Sequence, residues 1–393
     1  MKKTLIAVAA AAALATSSAF AEITFGAWLR AIAVPVGSTG EEIVTGITNS
    51  WGGGARTARL DVNAVSEDGM AGFAMGVFND FSDGLGQGDR AVLWVKPVDM
   101  LKVSLGKFDS PDNGLRGDFT YGSWNWLKPY NWLQDGEGLT FDGVSKNGLM
   151  VELDPVEGLH IFAAVPLAGG SSFATTAEDT YRNVQVGFGY SIADIGRIKA
   201  QFIGDYEEGV DGDKTGEIGV AFDLTAVENL YVTIGGRFGI ADKDEFADYE
   251  KVSVLAGVSY QVTDEFKVSV DGGFRMFQDK CRGKDGDDDM AFGVGAGIDY
   301  ALMDGLALAA DVRYMSIGGK DDDGTVSFLV GVNKSVGSNG SIGIGFQGST
   351  NGCGFIHGNG WSDGLKAGWN KDGEANDADQ FCWAIPVSVS VWF

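Results

Sequence analysis

Apolar and polar residues alternate with a period of two along most of the chain beyond its first 21 residues. The clearest example is the ending, IPVSVSVWF, whose apolar row is Ile385, Val387, Val389, Val391 and Phe393. A period of two places alternate side chains on opposite faces of a strand. The chain is therefore predicted to consist of β-strands that each have one apolar and one polar face.

Short turns, most of them carrying an acidic residue, separate these strands at eight places, as in PVDMLKVSLGKF from Pro97 and VTDEFKVSVDGGF from Val262. The other connections are longer and polar, and they are predicted at 37–54, 79–88, 109–138, 168–180, 207–214, 240–248, 278–289, 318–324 and 349–380. Eight short turns and nine long loops join 18 strands. Sixteen strands is the alternative count, because sequence patterns place strand ends only to within a few residues.

Three features favour a membrane barrel over a soluble β-sandwich. Closure of so large a sheet removes its edges. Aromatic residues such as Tyr190, Tyr260, Tyr300, Phe238 and Phe274 share the parity of the apolar face at strand ends, as in the two aromatic girdles of membrane barrels. The other face carries Gly, Ser, Thr, Gln and charge. An apolar outside and a polar inside predict an all-β fold, a transmembrane antiparallel β-barrel with short periplasmic turns and long extracellular loops.

The first 21 residues, MKKTLIAVAAAAALATSSAFA, form a different segment. Two lysines, a short apolar run and an A-x-A exit are typical of a secretory signal peptide. The apolar run is shorter than the ~20 residues that a membrane-spanning helix needs, and no later segment is longer and as apolar. We therefore expect processing after Ala21 and a mature barrel formed by residues 22–393.

Charge and histidine content narrow the function classes. The net charge is −25, and an exported acidic chain is not expected to bind nucleic acid. The two histidines, His160 and His357, have no Ser and acid at triad spacing and no metal-ligand spacing, so we predict no enzyme, no cofactor and no metal site. The Asp-rich loops are interpreted as a solvated negative rim, with divalent bridging to lipid phosphates as the alternative.

The whole mature chain resembles the Gram-negative outer-membrane porins, and the ending is its most specific match. Barrels of this family typically finish on an aromatic residue, usually Phe, with apolar residues at every second position before it. The resemblance implies that Phe393 belongs to a signal read by the barrel-assembly machinery. It also implies an outer-membrane location, contact with outer-membrane lipid and a water-filled channel for passive diffusion of small hydrophilic solutes. We expect the final strand to close the barrel against the first, Ile23 to Val34.

Loop 109–138 follows the predicted fifth strand. In porins, the long loop that folds into the pore also follows the fifth strand. The resemblance therefore implies a constriction in which basic wall residues face an acidic pore loop. The candidates on the wall are Arg30, Arg59 and Arg90. The candidates in the loop are Asp109, Asp112, Asp118, Asp135 and Glu137. For any single residue, a structural ion pair within the wall is the alternative.

Loop 109–138 is also rich in aromatic residues, which are Tyr121, Trp124, Trp126, Tyr130 and Trp132. Flat rings with hydrogen-bonding groups nearby suit the stacking of sugars, and inward Trp28 and Trp94 would extend such a platform. Sugar-specific porins have 18 strands and an aromatic track. Carbohydrate selectivity and general, weakly cation-selective diffusion both stay open, and a surface adhesin or structural barrel is the alternative from another class.

Two further expectations concern covalent and subunit contacts. Cys353 and Cys382 bracket the last long loop, and export implies an oxidising compartment, so we predict a disulfide between them, with Cys281 left over. We also predict a homotrimer packed through strands 1 to 5 and the last strand. Residues 55–105 lack girdle tyrosines and have a smaller outer row, made of Ala58, Leu60, Val62, Ala64, Ala71 and Ala91.

Overall fold

Eighteen strands make up the wall in the computed structural model, which describes residues 22–38, 43–48, 58–80, 84–85, 90–107, 147–166, 184–205, 215–241, 250–277, 290–316, 325–350 and 381–393. They are β1 (Glu22–Ser38), β2 (Ala58–Val65), β3 (Ala71–Asp80), β4 (Arg90–Val98), β5 (Leu101–Lys107), β6 (Asn147–Val156), β7 (Leu159–Pro166), β8 (Gln185–Ile192), β9 (Gly196–Asp205), β10 (Thr215–Leu224), β11 (Leu230–Ala241), β12 (Glu250–Gln261), β13 (Phe266–Phe277), β14 (Met290–Met303), β15 (Leu306–Ser316), β16 (Thr325–Ser335), β17 (Gly340–Ser349) and β18 (Cys382–Trp392).

The strands form one closed antiparallel sheet. Each strand pairs with its neighbours in sequence, and β18 pairs with β1 from Trp28 opposite Trp392 to Ser38 opposite Trp383. The Phe393 amide donates to the Ala27 carbonyl oxygen at 2.8 Å, and the Ala27 amide donates to Phe393 at 3.1 Å. The prediction of a closed 18-stranded barrel is therefore confirmed. Closure also fixes the apolar end of the chain, where a free terminus would fray.

Two further short segments lengthen this wall without adding strands to the ring. Ile43–Thr48 pairs with the part of β1 that lies beyond β2, from Ile32 to Ser38. Gly84–Leu85 pairs with the end of β3. Both segments belong to connections that were predicted as long loops, so the wall rises higher there than the sequence pattern indicated.

The eight predicted short turns are all present, at 66–70, 99–100, 157–158, 193–195, 225–229, 262–265, 304–305 and 336–339. Gly158 and Gly305 adopt φ angles of 81° and 66°, a left-handed conformation that glycine reaches without steric cost. In the first turn, the Ser66 hydroxyl donates a hydrogen bond to the Asp68 carboxylate, and the Met70 amide donates a second one. The first of these contributes most to lowering the pKa of the Asp68 carboxyl below its usual range. Hydrogen bonds and glycines thus keep the connections at this end short.

The outer face is apolar and exposed, as the alternation predicts. Phe188 and Tyr190 on β8 point outward together with Val258 and Tyr260 on β12, whereas Lys199 and Gln201 on β9 lie on the buried inner face. Tyr206, another aromatic residue with the parity of the apolar face, lies outside the described residues. Across the described ranges, no helix has the length and apolar character needed to cross a membrane.

The outward-facing side chains of the first strands are larger than the sequence pattern suggested. Phe25 on β1 and Leu93 on β4 expose 63% and 62% of their surface among the alanines of this region. The sequence has no tyrosine in residues 58–80 and 90–107. The homotrimer therefore stays a prediction, which rests on the missing tyrosines more than on a uniformly small surface.

Candidate functional site: the inner wall of the barrel

Charged side chains on the inner face pair across neighbouring strands. Lys267 Nζ on β13 lies 3.1 Å from Asp299 Oδ2 on β14, directly opposite in the register. Asp223 on β10 accepts hydrogen bonds from the Tyr231 and Thr233 hydroxyls of β11, at 3.1 and 2.6 Å. The inner wall is thus a mixed-charge polar surface, which suits water and small hydrophilic solutes.

Arg59 is the predicted constriction residue whose side chain the structure describes. Its Nε donates to Asp61 Oδ1 at 2.6 Å, and both side chains are half-buried. A Cβ built on Gly76 would lie 3.1 Å from Asp61 Oδ1 and 3.2 Å from Arg59 Nη2, so the absence of a side chain at Gly76 leaves room for the pair. The arginine charge is therefore held against the wall of the lumen by an acidic neighbour.

The other two basic candidates are placed by their backbone register. Gly76 on β3 lies opposite both Asp61 and Arg90, so Arg90 on β4 is on the same row as Asp61 on β2, with β3 between them. Arg30 on β1 lies opposite Ser390 on β18, two residues beyond Trp28, which faces Arg59. The register therefore places the three basic positions in one sector of the wall, and their role in a constriction stays a prediction.

A second cluster of charges lies on β5, β6 and β7. Lys102 Nζ is 2.8 Å from Glu152 Oε2, and His160 Nδ1 is 2.8 Å from Asp154 Oδ1. His160 Nε2 points toward Glu152, with 4.0 Å to Oε1, and the imidazole stacks on the Phe162 ring with centroids 6.4 Å apart. These four ionisable residues, Lys102, Glu152, Asp154 and His160, are called the His160 cluster below.

Trp94 on β4 is held on the inner wall by Gly72 on β3, which faces it in the register. A Cβ at Gly72 would collide with the benzene part of the indole and with the Ala64 carbonyl oxygen. Lys96 Nζ lies 5.9 Å from the centre of the indole. A glycine at position 72 therefore allows a large aromatic ring to lie close against the wall.

The inner face between β6 and β9 contains apolar residues that the sequence reasoning did not single out. Phe162 packs over Gly187 and exposes 1% of its surface, and Met150, Ala164 and Ile203 are buried beside it. Gln185, on the same inner row as Ala164 and Ile203, is also 1% exposed, and its amide nitrogen and oxygen have no hydrogen-bond partner among the described residues. Their shared parity with Glu152 and Lys199 could have shown that they face inward. This sector is covered rather than open to the lumen.

The remaining candidates lie outside the described residues. They are Asp109, Asp112, Asp118, Asp135 and Glu137 of the predicted constriction, Tyr121, Trp124, Trp126, Tyr130 and Trp132 of the stacking platform, and Cys353. Cys382 begins β18, and its side chain is not described. Among the residues that the structure describes, no group of three His, Cys, Asp or Glu side chains is arranged to hold a metal ion.

Comparisons with known proteins agree with this architecture. Residues 161–335 match the family model for the outer membrane protein beta-barrel domain. No curated protein sequence matches the chain. Among solved structures, an anion-selective porin from Comamonas acidovorans aligns with 95% of this chain and 99% of its own, at 13% identity and a TM-score of 0.50. A variant of the porin from Rhodopseudomonas blastica aligns with 95% and 100%, at 16% identity and a TM-score of 0.50.

At these identities the structural likeness concerns the fold, and it covers nearly the whole chain. This chain has a closed ring of strands with an apolar, exposed outer face. The chain therefore has the fold of these porins, a closed antiparallel β-barrel, and its residues 161–335 are similar to the outer membrane protein beta-barrel domain.

Proposed function

We propose that the barrel is a channel for passive diffusion of small hydrophilic solutes, with neither a catalytic nor a purely structural role. The single observation that supports this most strongly is the inner wall, where charged residues such as Arg59, Asp61, Lys267 and Asp299 line a closed 18-stranded ring. Barrels of 16 to 18 strands leave an aqueous channel. Ion pairs within one strand, as for Arg59 and Asp61, or between neighbouring strands, as for Lys267 and Asp299, satisfy these charges along the wall.

We also propose that the channel is narrowed between the basic sector at Arg30, Arg59 and Arg90 and the acidic loop 109–138. The covered inner sector around Phe162 supports a narrowed lumen, because a side chain that faces open water would not be 1% exposed. The acidic net charge favours cations at the mouths, so weak cation selectivity is the expected default. A homotrimer and recognition of Phe393 by the barrel-assembly machinery are part of the same proposal.

The test of channel function is single-channel recording of the purified mature protein in planar lipid bilayers. We expect stepwise openings whose conductance rises with salt concentration, because ions cross a water-filled lumen. A detergent-only preparation serves as the control. Intact, folded barrels that never conduct would contradict the channel proposal and favour the adhesin or structural alternative.

Carbohydrate selectivity is the second candidate function, and Trp94 favours it. The indole lies on the inner wall against Gly72, with Lys96 near its ring, so an aromatic surface and a hydrogen-bond donor lie side by side in the lumen. Sugar rings bind to such surfaces by stacking and hydrogen bonding. Trp124, Trp126 and Trp132 of the loop are the proposed continuation of this platform.

If the channel selects sugars, millimolar oligosaccharide is expected to reduce the open-channel current. Trp94→Ala would then weaken the block by about tenfold, the upper range of one aromatic contact. Trp383→Ala is the matched control, because Trp383 stacks on Phe346 of the outer apolar row. A current that no sugar reduces assigns the protein to general diffusion.

A further inference from the structure

The imidazole of His160 has a fixed orientation and one ring nitrogen without a partner. His160 is the second residue of β7, immediately after the short turn at 157–158, and it lies on the inner face between β6 and β8. Its Nδ1 lies 2.8 Å from Asp154 Oδ1. A carboxylate only accepts hydrogen bonds, so Nδ1 carries the proton and the lone pair of the ring is on Nε2. Nε2 is buried and has no hydrogen-bond partner among the described residues.

Glu152 supplies a carboxylate oxygen on the side of the ring where this lone pair lies. Glu152 Oε1 is 4.0 Å from His160 Nε2, and Glu152 Oε2 is 2.8 Å from Lys102 Nζ. At 4.0 Å, Nε2 and Oε1 are too far apart for a hydrogen bond. Bonds of ~2.0–2.2 Å to one zinc ion would place a ring nitrogen and a carboxylate oxygen ~3.4 Å apart at the tetrahedral angle and ~4.1 Å apart when opposed. The gap between Nε2 and Oε1 therefore fits a shared metal ion.

We propose that His160 Nε2 and Glu152 Oε1 bind a divalent transition-metal ion of the Zn²⁺ class on the inner wall. Asp154 is the positioning residue, because its hydrogen bond to Nδ1 holds Nε2 toward Glu152. A carboxylate that accepts from the other ring nitrogen is the usual partner of a metal-ligating histidine. Water completes the coordination, since no third His, Cys, Asp or Glu ligand joins this pair within the described ranges. Two protein ligands make the ion weakly held and exchangeable.

The surrounding charges favour an ion that bonds to nitrogen over an ion held by charge alone. Lys102 lies beside Glu152, and β9 carries Lys199 and Arg197 one strand beyond β8. These three cations oppose the two carboxylates of the His160 cluster, so the local attraction for a hard cation is small. Imidazole suits Zn²⁺, whereas Mg²⁺ prefers carboxylate oxygen and water. The site is therefore expected to discriminate against Mg²⁺.

The site has a path to water near the short-turn end of the barrel. Lys102 and His160 expose 34% and 23% of their side chains, and Asp154 is exposed. A bound ion would add two positive charges to the inner wall. Zinc should therefore lower the preference for cations, a consequence that rests on the proposed channel function, whereas the binding itself does not.

The experiment titrates Zn²⁺ into the folded, mature barrel in detergent and follows binding by isothermal titration calorimetry at constant pH. Excess Mg²⁺ is present to occupy sites made of carboxylates alone. His160→Gln removes the nitrogen ligand, and His357→Gln is its matched control, because the chain has only two histidines. Asp154→Ala removes the acceptor for Nδ1–H, and Asp154→Asn keeps one. Circular dichroism shows that each variant is folded.

We expect the wild type and His357→Gln to bind one zinc ion with equal affinity, and His160→Gln to bind it at least about tenfold more weakly. Asp154→Ala should weaken binding by about tenfold, and Asp154→Asn should restore part of this loss, because its side-chain oxygen accepts the same hydrogen bond. A wild type that binds no zinc, or a His160→Gln variant that binds it as the wild type does, overturns the inference.

Planar-bilayer recordings separate this inference from the channel proposal. Zinc should move the reversal potential in a salt gradient toward anions for the wild type and not for His160→Gln. Equal shifts in the two proteins overturn the assignment to His160. A barrel that binds zinc and never conducts would keep the metal site and contradict the channel proposal, and a conducting barrel that binds no zinc would do the reverse.

Discussion

Replacing Ile234 with Lys is expected to lower the free energy of unfolding in a lipid bilayer by about 2–4 kcal/mol, the cost of a lysine on the lipid face at mid-membrane depth. Ile234 is on the outer row of β11, midway between Leu230, which pairs with the girdle residue Tyr260, and Phe238. Its position is therefore close to the middle of the apolar band. The ammonium has no water or counter-charge there, and moving it to the interface strains the side chain.

Val227→Lys is the matched control for this prediction. Val227 exposes 50% of its surface and Ile234 exposes 51%, so accessibility alone predicts equal effects. Val227 lies in the short turn at 225–229, where the new charge meets water instead of lipid. We expect this variant to change the unfolding free energy by less than about 0.5 kcal/mol. Denaturant titration of both variants in lipid vesicles, followed by tryptophan fluorescence, measures the difference. Equal stabilities would mean that the outer row does not face hydrocarbon.

The strands and their faces were predictable because their signal is local. Tyr190 and Phe188 are two residues apart, and parity alone places both on one side of β8. The short turns were predictable for a similar reason, since Gly158 or Gly305 after an acidic residue stops a strand within two residues. Closure then follows from a count of strands and from an apolar last strand, without knowledge of any individual contact.

The contacts on the inner wall depend on register, which the alternation pattern does not determine. Lys102 and Glu152 are 50 positions apart in the sequence, and they meet because β5 and β6 pair at these residues. A slip of two residues would preserve every face and still separate them. The His160 cluster therefore required the pairing of three strands, even though Lys102, Glu152 and Asp154 share the parity of the polar face of their strands.

The apolar side chains on the inner face could not be predicted from the alternation pattern either. Phe162 belongs to the inner row, where the alternation led us to expect polar side chains, and it fits because Gly187 on the neighbouring strand leaves room for its ring. Gly72 on the inner face leaves room for a large ring in the same way, because the indole of Trp94 on the next strand lies against it. A small residue on one strand and a large one on the next are complementary only when their register is known.

Removing the basic charges of the wall is expected to raise cation selectivity and to widen the pore. Arg59 Nε is held by Asp61 at 2.6 Å, and Arg90 is placed by register on the row of Asp61. In the Arg59→Gln, Arg90→Gln double variant, two positive charges and two long side chains leave the same sector. The reversal potential in a salt gradient should move toward the cation equilibrium value, and the single-channel conductance should rise.

Asp61→Asn is the control that separates charge from size in this sector. It leaves the Arg59 guanidinium without the carboxylate beside it and changes no side-chain length, so the reversal potential should move toward anions at nearly constant conductance. A variant in which both Arg59 and Asp61 are neutral should return close to the wild-type selectivity. If the arginine double variant, Asp61→Asn and the variant with both residues neutral all keep the wild-type reversal potential, the sector lies outside the path of the ions.

The acidic side of the proposed constriction is tested by Asp112→Asn with Asp118→Asn in loop 109–138, which lies outside the described residues. Opposed charges across a narrow aqueous gap create a transverse field, and rings of charge in a confined pore bias the choice of ions. The double variant should shift the reversal potential toward anions, opposite to the arginine variant. Both shifts should shrink at high salt, because the Debye length is ~10 Å at 0.1 M and ~3 Å at 1 M. A shift from the arginine variant alone would place these loop carboxylates away from the constriction, and the tryptophans of the same loop would then need a role outside the pore.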